Sequence, residues 1–306
     1  MSFWKNLFGK KLKAKTETRI SETAVETSSQ PVAVSVAATP FETAPSKTFT
    51  KLINPGWELT GSFTMWEVAE FIRTHQKDWP DHRLFGVLED IDQAFYTSGH
   101  SLMANDLDEI DPETQDGLHP SSFESLAPGE PEEFYGLSHP SEFPIRHRMF
   151  MEFVSDKDPK SWQGRLSWSE GGEACPSLLC GNPARPDMEG WGWPRDKRSF
   201  VMQVPVPQAC EAVSAFVNGY FNSDLQPHEN YFLAKALEDK FGLKLFGFGA
   251  SYAGYMRETP LSDKDAKALA VFLAPLYSAM PDNNLVGRIE TIAAGQHTLF
   301  LAYTNS

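Results

Sequence analysis

At 306 residues the chain allows one large domain or two small ones, and 41% hydrophobic content with 12% aromatics excludes a wholly disordered protein. A formal charge of −14 argues against a general nucleic-acid binder, which needs clustered Lys and Arg, and three cysteines (Cys175, Cys180, Cys210) are too few for a disulfide framework. No apolar run is long enough to span a membrane and no continuous apolar stretch follows the N-terminal lysines, so neither a spanning helix nor a secretory leader is expected, and a reducing cytoplasm is the simplest setting.

The first fifteen residues, MSFWKNLFGKKLKAK, differ from everything after them. Residues 1–19 carry a net +5, which leaves −19 for residues 20–306. On a helical wheel Phe3, Trp4, Leu7 and Phe8 share one half with Leu12, while Lys5, Lys10 and Lys13 take the other. That arrangement suits weak contact with an anionic membrane surface, which would place the protein peripherally at the inner membrane face; a frayed basic terminus explains the same residues. Residues 16–49 hold Ser, Thr, Val, Ala, Glu and Pro with few large side chains, and read as a disordered tether reaching on the order of 30 Å.

Residues 50–306 read as one α+β globular domain with a mixed or antiparallel sheet and about four helices, interrupted by an acidic insertion at 100–145. Thr64 and Glu67 have capping-box spacing ahead of a helix reaching His75. Arg83–Leu88 reads as a strand. Met149–Val154 reads as a central strand because it is apolar on both faces, Gln163–Ser169 and Ser199–Val206 alternate, and Ala209–Phe221 is a predicted helix. Pro227 opens another helix that Gly242 closes. Leu243–Glu258 is expected to form one long strand with Phe246, Phe248, Ala250 and Tyr252 on one face and glycines on the other. A helix starting at Ser262 bends at Pro275, and Val286–Ile292 with Thr298–Tyr303 forms an expected hairpin around Gly295.

The acidic insertion is the strongest functional signal. From His100 to Ile145 the chain runs 46 residues without Lys or Arg and carries eleven carboxylates. Asp106, Asp108, Asp111, Asp116, Glu132 and Glu133 are the candidate contacts for a basic protein partner, by electrostatic attraction, while a solvated acidic insertion that merely keeps the protein soluble is the simplest explanation of the same residues. An EF-hand pattern fails here, because Ile110 stands at a ligand position and Asp111 where the turn glycine belongs, so no metal is assigned. Gly117-Leu118-His119-Pro120-Ser121 is echoed by Gly136-Leu137-Ser138-His139-Pro140-Ser141, which reads as coincidence rather than a repeat architecture.

A second candidate is the loop holding Trp191, Trp193 and Arg195, where rings beside a guanidinium could stack a planar ligand; two Trp that plug the core are the preferred explanation of the same residues. Cys175 and Cys180 supply half a zinc site and have no nearby His in sequence, so buried reduced thiols are expected. The eight histidines are scattered, and no phosphate-loop, zincin or lipase-type motif is present. No catalytic residue and no cofactor are therefore assigned.

Gly171-Gly172, Pro176, Leu178, Trp193-Pro194 and Phe200-Val201-Met202-Gln203-Val204 follow an order that resembles YwqG-like bacterial proteins, with two additional residues between the glycine pair and its proline. The resemblance covers residues 171–204 and implies a cytoplasmic α+β module with no catalytic residues to carry over. The expectation from these features together is a non-catalytic binding protein, of inhibitor or immunity type, with an acidic surface toward a basic partner. The alternatives are a hydrolase whose site assembles only in the fold, and a membrane-surface adaptor anchored by residues 1–15.

Overall fold

The computed structural model describes residues 37–42, 52–61, 64–125, 130–171, 176–180, 198–279 and 284–305, all within Val34–Ser306. In chain order the first elements are β1 (Ala37–Phe41), β2 (Gly56–Thr60), α1 (Met65–His75), β3 (Arg83–Val87), α2 (Ile91–Ala104), β4 (Phe123–Glu124), β5 (Glu133–Phe134) and α3 (Phe143–Ser155). The second half supplies β6 (Leu166–Ser167), β7 (Leu178–Cys180), β8 (Arg198–Val204), α4 (Pro227–Phe241), β9 (Lys244–Phe248) and β10 (Tyr252–Met256). It closes with α5 (Asp263–Leu273), β11 (Tyr277–Ala279), α6 (Leu285–Ala293) and β12 (Thr298–Ala302).

Eight strands form one sheet in the order β1-β2-β8-β3-β9-β10-β12-β7. Every pairing in it is antiparallel except β3 with β9, which run parallel at the centre. Period-two alternation sends Phe85, Val87, Phe200, Met202, Val204, Leu299 and Leu301 to one face. Leu84, Leu88, Val201, Phe300 and Ala302 go to the other. The smaller face is covered by α1 through Met65, Val68, Ala69 and Ile72. The larger face carries the buried sides of α2 to α6. The α+β expectation is met, with a larger sheet and more helices than anticipated.

Local signals set several boundaries as expected. The Thr64–Glu67 capping box forms, with each backbone amide donating to the other's side chain. Pro227 lies in the first turn of α4, and Gly242 closes it in the left-handed region at φ 66°. Pro275 ends α5 in a short 3₁₀ turn.

Other expectations are corrected. Met149–Val154 lies in α3, not a strand: Ile145, Phe150 and Val154 are buried while Met149, Met151 and Phe153 are half-buried, so only the narrow exposed row of Arg148, Glu152 and Ser155 marks the helical period. Val286–Ile292 lies in α6, where Leu285, Ile289 and Ala293 bury at four-residue spacing, and Gly295 turns between that helix and β12 rather than closing a hairpin. Leu243–Glu258 is the antiparallel pair β9–β10. A bulge there pairs Gly254 with Gly247 and Tyr255 with Leu245, which throws Phe246 to the α1 face while Phe248 stays on the other. Ala209–Phe221 is a 3₁₀ helix only to Ala215, and of Gln163–Ser169 only Leu166–Ser167 pairs, with β11. Several elements were not anticipated, among them α2 and the strands β2, β4, β5, β7 and β11. Another is β1, which lies inside the expected tether and adds to the sheet edge by backbone pairing with β2 while its side chains stay largely exposed. Pro40 is tolerated there because an edge strand has one unpaired side.

Candidate protein-docking surface

The acidic insertion is ordered over its described residues without being regular. Its apolar residues act as pegs: Leu107 and Leu137 are buried in the main core, and Ile110, Leu118 and Phe134 pack against it. The chain leaves α2 through Asn105 and Asp106, the latter in the left-handed region at φ 55°, with its amide donating to the Met103 carbonyl at 3.3 Å. Beyond the pegs, one inward carboxylate organises the segment. Glu142 is fully buried and accepts from the amides of His119 (2.8 Å), Ser138 (2.9 Å) and His139 (2.9 Å), and from the Ser122 hydroxyl at 2.7 Å.

The His-Pro-Ser echo is therefore structural, contrary to the reading as coincidence. His119 and His139 each cap a short 3₁₀ turn, with Nδ1 accepting from the amide of Ser121 or Ser141 at 3.2 Å. That acceptor role places the ring proton on Nε2. The two imidazoles stack face to face, 3.7 Å apart and 8° from parallel, above the shared Glu142. Burial opposes a charge on Glu142, but the backbone donors, with Ser122, outweigh it and hold the carboxyl below its usual range. A lowered carboxylate contributes stability that is present above its unfolded pKa and lost as acid titrates the folded group. Glu142→Gln puts an amide NH₂ against those donors and is expected to cost about 2 kcal/mol or more. Hydrogen exchange should then quicken at the His119, Ser138 and His139 amides; unchanged protection there would contradict this organising role.

The other ten carboxylates of the segment are exposed. Among the described residues, no ion pair with Lys or Arg ends on Asp106, Asp108, Asp111, Asp116, Glu132 or Glu133. Asp111 is occupied within its own turn, accepting from the Glu113 amide at 3.0 Å and the Thr114 hydroxyl at 3.0 Å. Arg146 is a buried cation that interacts with this segment, and its Nε has no hydrogen-bond partner among the described residues. Burial pushes Arg146 down to about 10, against the opposing pull of Asp108 and Glu142.

Three local choices here cost stability. Asp106 and Asp108 follow the negative end of α2, whose last turn has no basic residue. Asp106 is a non-glycine residue in the left-handed region. In the β4–β5 pair Glu124 stands directly across from Glu133, a like-charge pairing. Exposed apolar groups sit within and beside this surface: Tyr135 on the insertion, and Tyr96 and Met103 on α2.

The remaining nominated sites divide cleanly. Phe3, Trp4, Leu7, Phe8, Trp191, Trp193, Arg195 and Cys175 lie outside the described residues. Cys210 is buried, its thiol pushed up to about 12 by burial and the carboxylates around it, which makes it chemically inert. Among the described residues no group of three or more His, Cys, Asp or Glu side chains is placed to hold a metal ion, and no helix is long and apolar enough to cross a membrane.

One polar site was missed by sequence reasoning. Glu89 follows β3 at the carboxyl end of the central parallel pair and is only 5% exposed. One carboxyl oxygen accepts from the amides of Ser251 (2.6 Å) and Tyr252 (3.0 Å), and its backbone carbonyl accepts from Ala250 at 3.2 Å. The second oxygen lies on Gly249, where a Cβ would overlap it, and has no hydrogen-bond partner among the described residues. The turn around Gly249 is further held by Asn218 and Tyr303, both donating to the Gly249 carbonyl. Glu89 thus locks the β9–β10 turn. The available signal was a carboxylate directly after an apolar strand. Comparisons with known protein families, with curated proteins and with solved structures return no match.

Proposed function

We propose that this protein is a non-catalytic binding protein that docks a basic protein partner on the surface bearing Asp106, Asp108, Asp111, Asp116, Glu132 and Glu133. The observation that carries the reading is that these carboxylates are exposed on a pegged scaffold and that, among the described residues, no ion pair with Lys or Arg ends on them, although the buried Arg146 attracts Asp108. A carboxylate set kept outward at a cost in local stability is explained by an external counter-charge. Such a surface steers encounter and makes association fast and steeply salt-dependent. An inhibitor or immunity-type role, covering the nucleic-acid-binding face of a basic protein, fits this chemistry.

The test uses oligo-lysine as a basic probe. Binding to the full-length chain should weaken sharply between low and physiological ionic strength. Neutralising Asp106, Asp108, Asp111 and Asp116 together to Asn should slow association by on the order of tenfold at low salt. An unchanged rate and affinity in a folded quadruple variant would overturn the proposal.

A further inference from the structure

The acidic surface begins where α2 ends, and the outer side of α2 leading to that point carries an aromatic cluster. Tyr96, His100 and Met103 follow one another at helical spacing on its outer side. Tyr96 is 43% exposed and Met103 46%. The Tyr96 ring meets the His100 ring edge-on at 4.2 Å, His100 stacks on Tyr220 at 4.9 Å and 27°, and Tyr220 abuts Phe221 at 5.1 Å. Phe221 is itself 41% exposed. The cluster is held rather than loose: buried Ser101, on the inner side of α2, donates to the Gly219 carbonyl at 3.2 Å, which fixes Tyr220 and Phe221 against the helix. Asp106 follows directly, its amide bonded to Met103, with Asp108 after it.

Exposed aromatics and a methionine on the helix that leads into exposed carboxylates match the composition of binding hot spots. Charge complementarity selects the occupant. A second copy of the chain presenting this same face would bring a matching carboxylate rim, and an anionic lipid surface would be repelled likewise. A basic protein is attracted. Between the two basic side chains, carboxylates alone discriminate weakly, but a planar guanidinium can lie on a ring face while its N–H groups fork to a carboxylate. An ammonium is more strongly hydrated and leaves water less readily for a ring face.

We infer that the Tyr96–His100–Tyr220–Phe221 cluster with Met103 is the anchor of the docking surface, and that it selects arginine over lysine side chains on the basic partner. This rests on the docking reading above and specifies its chemistry. The carboxylates supply long-range attraction to any cation; the rings supply the preference for guanidinium.

The experiment compares oligo-arginine with oligo-lysine of equal length, binding to the full-length chain at low ionic strength. Wild type should hold oligo-arginine about tenfold more tightly. The double variant Tyr96→Leu with Phe221→Leu, which keeps apolar bulk and removes two ring faces, should bring the two affinities near parity, with oligo-arginine losing the larger share. The four-Asp variant should weaken both peptides. Parity in wild type, or an undiminished arginine preference in the Leu variant, overturns the anchor while leaving acidic docking intact. Failure of wild type to bind either peptide overturns both readings. Self-association of wild type that the Leu variant abolishes would assign the cluster to a second copy and overturn the arginine anchor.

Discussion

Gly219→Ala is expected to destabilise the protein by about 3 kcal/mol or more, because two separate penalties fall on one methyl group. Gly219 sits at φ +99°, a region L side chains rarely adopt, and an added Cβ would overlap the backbone carbonyl of Leu225. No rotamer change relieves a clash with backbone. The site is also crossed by hydrogen bonds that oppose any shift: Gly219 donates to the Asn218 side chain at 2.9 Å, Leu225 donates to the Tyr303 carbonyl at 2.7 Å, and Asn230 donates to the Leu225 carbonyl at 2.9 Å. Gly242 provides the control. It too has a positive φ, +66°, but nothing lies within 4 Å of its added Cβ, so Gly242→Ala should cost only about 1 kcal/mol. Denaturant titration of the two variants measures the difference. Equal losses would show that the close approach at Leu225 contributes nothing.

The second large effect is on pH dependence, and it belongs to Glu89. Burial pushes its carboxyl up from 4.5 to about 8, with Asp90 adding to the rise and the Ser251 and Tyr252 amides opposing it. A raised carboxylate binds its proton more tightly in the folded chain than in the unfolded one. Its contribution is therefore fully present below about 4.5 and is lost as pH climbs through about 8. His228 works in the opposite sense. Burial, with Lys157 and Arg165 beside it, holds His228 down to about 4 from 6.5, so stability rises with pH across that interval. The two oppose one another up to about pH 6.5, and between 6.5 and 8 the Glu89 contribution stands against no change in His228. Over the whole range the Glu89 contribution is on the order of 4 kcal/mol. Glu89→Gln mimics the protonated acid and keeps an acceptor for the two amides. That variant should match wild type near pH 5 and become the more stable protein above pH 8. Parallel stability curves for the two, measured by denaturation across pH, would refute a protonated Glu89 lock.

Much of the candidate surface was legible because charge is a property of composition. The absence of Lys and Arg from 100 to 145 is visible without any fold, and so are the candidate carboxylates. Their direction was not visible. Ten face solvent and Glu142 faces inward, and nothing about Glu142 alone distinguishes it; its role arises from amides of His119 and Ser138 converging on one oxygen pair. The aromatic half of the surface was missed for a similar reason. Tyr96 and His100 lie on one helix, but Tyr220 and Phe221 reach them across more than a hundred residues of chain. A further signal went unread: Arg83-Leu84-Phe85-Gly86-Val87 and Lys244-Leu245-Phe246-Gly247-Phe248 share a pattern and pair in parallel at the sheet centre, Gly86 beside Gly247.

Features governed by interactions within a few residues could be read directly from the chain: the Thr64–Glu67 cap, the Pro227 start and Gly242 stop of α4, the alternation of β8, and the clustering of negative charge. Features that depend on a distant surface could not. The runs that became α3 and α6 satisfy either period when most of their sides are covered, so burial against the core, rather than propensity, made them helices. The exposed strand β1 exists only because β2 offers it an edge. The β9–β10 turn is locked by Glu89 from elsewhere in the chain. Local free energies are written into neighbouring residues, whereas desolvation and backbone pairing across the sheet become definite only once the folded chain has brought both partners together.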